Sequence, residues 1–453
     1  MTPSDPSSLQ PLLEQALQLA RQQGADQADA VVTRSRDHSA LVREGRPEER
    51  EHAENVGLGL RVFRNGRMAC VSSTDLSRNA LEQLAERACA MADAVPPSPF
   101  DGLAEHPLAQ PDRQLIEQLD LVDPSAPPSM EQLIETACAM EEAALGCKGI
   151  TNSSGASASA QYQEIALATT GGFSGAYART RFGRGVSVVA GTGNAMERDY
   201  ATHSTTHQAD LRSAAELGTE AAERALARLN PTRPTTGTMP VIFDRRVSNS
   251  LLGHLASAIN GATIARGASF LRDRRGQRLF RKGIRITDSP RLARGPGSRP
   301  FDGEGCAATE LAVIDDGVLE HWLLDSRTAR QLGLTSNGRA VRSSSAPPRP
   351  GTSNFIMQPG TLTPQALRAD ISEGLLVTEL MGNAINLLTG DYSRGAAGFM
   401  IRNGQIAEPV SGVTLAGDLA AMFASLTAAD DLTYDRAHAA PSVRIDSMTI
   451  AGT

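Results

Sequence analysis

The stretch VIFDRRVSNSLLGHLASAINGA (241–262) decides the reading of the second half of the chain. Its first three residues, Val241 to Phe243, suit a strand, and an apolar stripe at helical spacing comes after them. Val247, Leu251, Leu255, Ala258 and Ile259 recur at intervals of about one or two helical turns and so share one face. The spacing predicts one long helix from Val247 to about Ile264. His254 lies beside the stripe. A lone helix histidine needs ligating neighbours on its own face to hold a metal, and Leu255 and Ile259 can neither ligate nor deprotonate water.

Upstream, LNPTRPTTGTMP (229–240) combines three prolines with small polar residues, the composition of a linker. It divides the 453 residues into an N-terminal unit, 1–235, and a C-terminal unit, 236–453. Downstream of the helix the sequence favours strands: 311–323 turning at Asp316-Gly317, and 398–406 turning at Asn403-Gly404. Before the linker, Leu9, Leu12, Leu13, Ala16, Leu17 and Ala20 form a helical stripe with Ser7 and Ser8 as candidate caps. Strands are expected at 31–34, 39–43 and 56–63, with Asn65-Gly66 turning into 68–73. Helices are expected next at 76–92 and 130–145, separated by a Pro-rich loop. Alternating runs over 150–206 suit antiparallel strands, and a last helix at 210–229 has Asp210 as its candidate N-cap. The fold class is α+β: helices on a mostly antiparallel sheet, then a strand-rich domain with one long helix.

Composition sets limits on function. Apolar residues make up 40% and charged residues 21% of the chain, which excludes disorder as the main state. No apolar run is long enough for a membrane span, and the opening MTPSDPSSLQPLLEQ lacks the basic and apolar regions of a signal peptide, so the expected location is cytoplasmic. The five cysteines are odd in number and contain no C-x-x-C, which supports neither a disulfide framework nor a zinc ribbon. A net charge of −7 opposes general attraction to nucleic acid. Against that background, residues 266–300 carry eleven basic residues and two acidic ones, a local charge of +9 that leaves −16 elsewhere. Arg274, Arg275, Arg278, Arg281 and Lys282 are the candidates there for docking an acidic partner surface or a peptide carboxylate. Only two aromatics interrupt the segment, which disfavours nucleic acid.

Other motifs fail on chemistry. GTGNAM at Gly191 lacks the third glycine of a dinucleotide fingerprint, and no P-loop is present. His203 and His207 in HSTTH have the spacing of a zinc pair but Ser204 stands where the general base belongs. The threonines around them favour a strand, on which they would lie roughly 13 Å apart at about 3.3 Å per residue. They read as two surface histidines.

The longer motifs resemble the TldD/TldE (PmbA) family of metalloproteases, and its TldE branch most closely. The resemblance is carried by 241–262 and by PFDGEG (300–305), DDGVLEHWLLDSRTARQLGL (315–334), LLVTELMG (375–382) and TGDYSRGAAGFMIRNGQIAEPVSGVTLAGDL (389–419). In the first half it rests on GLRVFRNGRMACVSSTDLS (59–77) and MERDY (196–200). The TldD branch carries H-E-x-x-x-H on this helix and a cysteine near the C-terminus. Laid on that motif, His254 takes the first histidine, Leu255 the glutamate and Ile259 the second histidine, and no cysteine follows Cys306.

The resemblance therefore implies a degenerate site with no metal ligand set and no zinc in this chain. It further implies a TldD-type subunit that holds the zinc, a heterodimer, and small unfolded peptides as substrates, including leader sequences, bound by strand addition. The acidic balance gives no support to an older family label, modulator of DNA gyrase. Two other readings stay open: an active peptidase with an unrecognised metal site at His254, His321 and His438, and a peptide-binding assembly subunit without proteolysis. A homodimer stays open for the chain alone.

Overall fold

The computed structural model describes residues 5–105, 108–110 and 113–452. The first half is one six-stranded antiparallel sheet: β1 (Gln27–Arg43), β2 (Arg46–Arg64), β3 (Arg67–Ser73), β4 (Ile150–Thr169), β5 (Ser174–Ala190) and β6 (Glu197–Thr205), in the order β3-β2-β1-β4-β5-β6. Its helices are α1 (Gln10–Gln22), α2 (Arg78–Ala94), α3 (Arg113–Leu119), α4 (Met130–Leu145) and α5 (Ala214–Ala227).

Alternation along β1 explains how the sheet is covered. Ala28, Ala30 and Val32 pack with α1 and α2, while Ala40 and Val42 pack with α4 and α5. All are even-numbered on one strand, so both helix pairs cover the same face. The opposite face carries Asp29 and Val31, and Val31 packs with Phe173, just before β5, and with Phe301 of the second half.

Several local expectations change. The strands expected at 31–34 and 39–43 are one strand, because the polar stretch between them stays paired to β2 and β4 throughout. The turn before α1 is capped by Asp5, whose carboxylate accepts from the Ser7 amide, rather than by Ser7 or Ser8. The last helix of this half begins at Ala214, not at 210. Ser213 and Glu216 form a reciprocal capping box there, which satisfies two amide groups and outcompetes Asp210.

The second half is built from β7 (Gly237–Phe243), α6 (Arg245–Ala258), α7 (Gly261–Ala265), β8 (Ile286–Asp288), β9 (Leu311–Asp315), β10 (Val318–Leu319), α8 (Ser326–Gln331), β11 (Ala340–Ser343), β12 (Ala346–Pro350), β13 (Phe355–Met357), α9 (Pro364–Arg368), β14 (Glu373–Ile385), β15 (Asp391–Arg402), β16 (Gln405–Asp418), α10 (Leu419–Ser425), β17 (Thr427–Ala428), β18 (His438–Ala439) and β19 (Val443–Ala451). Strands β16-β15-β14-β7-β19 run side by side, and β19 also pairs with β16, which closes a five-stranded barrel. The β7–β14 pairing is parallel and the others are antiparallel. Closure removes the free edges that an open sheet would leave. A second sheet, β10-β9-β8-β13-β18, packs beside it, and α6 touches strands of both.

The long helix is shorter than its stripe. It ends at Ala258, and Asn260 starts α7 by accepting a hydrogen bond from the Ala262 amide (3.0 Å). Leu323 interrupts the helical ladder on both sides of the break: its amide donates to the Ile259 carbonyl (3.0 Å) and its carbonyl accepts from the Gly261 amide (2.8 Å).

The two halves meet through a hairpin and a charged pair. The β11–β12 hairpin lies on β2, so close that a Cβ on Gly59 would overlap the Ser344 carbonyl oxygen. Next to it, Asp29 on β1 is held by Arg61 on β2 (2.8 Å at Nε) and by Arg342 on β11, all three nearly free of solvent.

Candidate functional site

Helix α6 owes its start to Asp244, whose carboxylate caps the Arg246 amide at 2.9 Å, and its depth to the stripe facing the barrel. Leu251 and Leu255 lie in the main hydrophobic core with Val241, Phe243, Leu375 and Val377 of the barrel wall. Leu255 and Ile259 are both 0% exposed. Full burial of two aliphatic side chains of this size is worth ~1.5–3 kcal/mol each. The two degenerate motif positions therefore serve packing.

His254 packs edge-on against Tyr392, with ring centroids 5.9 Å apart. Its Nε2 is shut off from solvent and has no hydrogen-bond partner among the described residues. Burial, helped by the positive charge of Arg394, pushes the His254 pKa down to about 4. The ring is neutral at physiological pH. A neutral imidazole can ligate, but only one of the three motif positions offers a ligand atom, and the base position is an alkyl chain in the core. The position does not fit a catalytic zinc ion.

The alternative trio is not assembled. His438 shares a hydrogen bond with Thr352 (Nε2 to Oγ1, 2.8 Å) and tilts against Phe355. His321 is half-buried, near Arg275 and Glu320. Among the described residues, the only three His, Cys, Asp or Glu side chains whose ligand atoms lie within 4.8 Å of one another are Asp302, Glu304 and Cys306, all buried. Their oxygens are already committed. Asp302 Oδ1 accepts from the amides of Glu304 and Cys306 (2.9 and 2.8 Å), its Oδ2 from Ala340 (3.0 Å), and Glu304 Oε2 from Ser326 (2.8 Å). Burial, with Asp302 and Glu304 beside it, raises the Cys306 pKa and keeps the thiol protonated. This cluster ties the PFDGEG loop to β11 and α8.

The basic segment is less bare than its sequence. Arg278 pairs with Asp316 (3.2 Å), and Arg281 with Asp446 while donating to Thr427 Oγ1 (2.6 Å). Arg285 pairs with Asp315, and Arg294 reaches Asp210 (2.9 Å) and Asp120. Arg275 donates to the Glu320 carbonyl (3.0 Å) and lies over Trp322. Arg274 bonds Gln277 (3.1 Å). Arg274, Arg275 and Lys282 are exposed, with no carboxylate within 4.0 Å among the described residues. Of the two histidines expected on the surface, His203 is on β6, but His207 lies beyond its end and is buried. Its Nε2 sits 2.9 Å from the Asp120 carbonyl oxygen, which holds the loop after α3.

Comparison with known proteins places these features in a family. The C-terminal domain model of PmbA/TldA metallopeptidases matches residues 236–452, the domain 1 model matches 28–92 and the central domain model 123–229. The chain belongs to the PmbA/TldA metallopeptidase family. It is 35% identical to the metalloprotease PmbA of Escherichia coli O157:H7, over 98% of this chain and 96% of that one. It is 32% identical to a metalloprotease PmbA homolog of Haemophilus influenzae, over 96% and 94%. Among solved structures, a candidate modulator of DNA gyrase from Bacteroides thetaiotaomicron superposes with a TM-score of 0.89 at 26% identity, covering 98% of this chain and 99% of that one. TldE from Thermococcus kodakarensis shares the fold, with a TM-score of 0.83 at 18% identity over 97% and 99%. No helix among the described residues is long and apolar enough to cross a membrane.

Proposed function

We propose that this chain is the non-catalytic subunit of a cytoplasmic metallopeptidase, paired with a TldD-type subunit that carries the zinc, and that the pair degrades or trims small unfolded peptides. One observation carries the reading: on α6 and at its C-cap, where a hydrolytic relative needs a glutamate and a second histidine, this chain buries Leu255 and Ile259 in the main core. A histidine held neutral against Tyr392 has no base beside it and no second ligand. The near full-length match to PmbA metalloproteases supports a proteolytic context for a chain that lacks its own metal set.

Docking falls to the exposed cations at 266–300, of which Arg274, Arg275 and Lys282 keep charge unspent on internal carboxylates. Extended peptide would bind by adding a strand, with main-chain hydrogen bonds that make little demand on sequence. The test is co-purification from the native host with peptidase assays of the isolated chain and of the complex. The reading predicts turnover by the complex, none by this chain alone, and zinc in the partner. Zinc bound stoichiometrically by the isolated chain, with turnover, overturns it.

A further inference from the structure

A cleft of about 240 Å³ lies between the two halves and takes in the first turn of α6 but none of the degenerate motif positions. Its walls come from β6 (Tyr200, His203), α5 and the residue before its cap (Arg212, Glu220, Arg224), the first turn of α6 (Arg245, Arg246) and the loop before β18 (Asp435, Arg436). Five guanidinium groups thus face one small volume against two carboxylates.

The internal pairings leave charge over. Glu220 is shared by Arg212 (2.6 Å) and Arg224. Arg246 is held by Asp199 (2.6 Å) and lies over the Tyr200 ring. Arg436 donates to the Arg246 carbonyl (3.1 Å). Among the described residues, neither Arg245 nor Arg436 has a carboxylate within 4.0 Å. Arg245 and Arg246 also stand at the positive end of a 14-residue helix, where cations are disfavoured. The crowding registers on the groups themselves: burial and then the nearby Arg246 disfavour the charged form of Arg224.

The α6 amides cannot serve a ligand. Arg245 N donates to Ser442 Oγ and Arg246 N to Asp244. The side chains must do so, and planar guanidinium forks match a tetrahedral oxyanion bidentately.

We propose that this interdomain cleft binds a phosphate group, free or as the monoester of a small molecule, with Arg245 and Arg436 as its main donors and Arg212 at its rim. The volume lies below the ~300–1,000 Å³ usual for drug-sized ligands, so the phosphate itself is recognised and a nucleoside would project into solvent. Bound there, phosphate bridges residues of both halves and favours their docked arrangement.

The full chain, purified without phosphate, would be titrated by calorimetry at low ionic strength with inorganic phosphate, glycerol phosphate and acetate, and its melting followed in each. Saturable phosphate binding with a raised melting temperature is expected, and glycerol phosphate should match it. Acetate should bind at least about tenfold more weakly. Arg245→Gln and Arg436→Gln should each weaken phosphate about tenfold or more, the loss of one charge-assisted contact, without altering the ligand-free circular dichroism. Exposed Arg212→Gln provides a smaller loss if Arg436→Gln folds poorly. No saturable phosphate binding, acetate equal to phosphate, or unchanged affinity in Arg245→Gln overturns the assignment.

Discussion

Asp29 and Arg342, 313 residues apart in sequence, form an ion pair almost wholly removed from solvent. The pair joins the inner face of the first sheet to the β11–β12 hairpin of the second half. Burial alone would raise the Asp29 pKa, yet attraction from Arg342 and then Arg61 brings it below the ordinary carboxylate range. A carboxylate so placed stays charged because two cations surround it.

Removing that charge should loosen the junction. Asp29→Asn leaves Arg342 and Arg61 buried without their main anion, and breaking a buried pair typically costs ~3–5 kcal/mol. Urea unfolding should show the loss, and limited proteolysis should cut first around the hairpin. If Asp29→Asn unfolds at the same urea concentration as the wild type, the pair is not what holds the halves.

Glu304 lies 3.7 Å from Arg61 in the same network, and its pKa is pushed up to about 7. Burial is the main cause, opposed by Arg61 and reinforced by Asp302 and Asp325. The folded state therefore holds a proton that the unfolded chain, titrating near 4.5, has released. The contribution of this group is fully present below about pH 4.5 and is lost as pH rises through about 7. Glu304→Gln keeps the acceptor for the Ser326 amide and removes the titration. Its melting temperature should exceed that of the wild type above about pH 7, and its decline between about pH 4.5 and 7 should be shallower. Parallel curves would place the titration on another group.

His254 works in the opposite direction. The unfolded ring takes a proton below about 6.5, while the folded one refuses it down to about 4. Its contribution is present above about pH 6.5 and is lost as pH falls towards 4. His254→Phe should melt at a higher temperature than the wild type at about pH 5 and leave peptide turnover by the assembled complex within about twofold. A well-folded, fully assembled variant that has lost most turnover would make His254 part of the chemistry.

What the sequence disclosed and what it hid divide along physical lines. Local signals were sound: the Asn65-Gly66 and Asn403-Gly404 turns adopt the left-handed backbone that two-residue hairpins require, and the helix at Met130–Leu145 begins and ends as its stripe indicates. The break at Ile259 escaped because the apolar stripe continues past it, and only Asn260-Gly261 hinted at a new cap. Barrel closure escaped because β7 pairs with strands more than 130 residues downstream. The arginine cleft left no signal at all, since its members come from segments as far apart as Arg212 and Arg436. The basic run at 266–300 was legible as charge, but its neutralisation by Asp316, Asp446 and Asp315 belongs to the fold.

That neutralisation sharpens the last prediction. Arg278 and Arg281 already hold internal carboxylates, so reversing them to Glu disrupts pairs and confounds stability with docking. Arg274, Arg275 and Lys282 are exposed cations without a carboxylate partner among the described residues, so of the five candidates these three are the ones free to steer. With a Debye length of ~8 Å at physiological ionic strength, attraction between such surface charges fades as salt rises, so association with a TldD-type subunit should slow. The triple reversal Arg274→Glu, Arg275→Glu and Lys282→Glu should slow association about tenfold or more at low salt and flatten the salt dependence. Dissociation should change less, because rim charges act mainly on encounter. Stopped-flow association across a salt series reads both. If wild type and triple variant associate at one rate with one salt slope, these side chains form a solvated face and docking lies elsewhere.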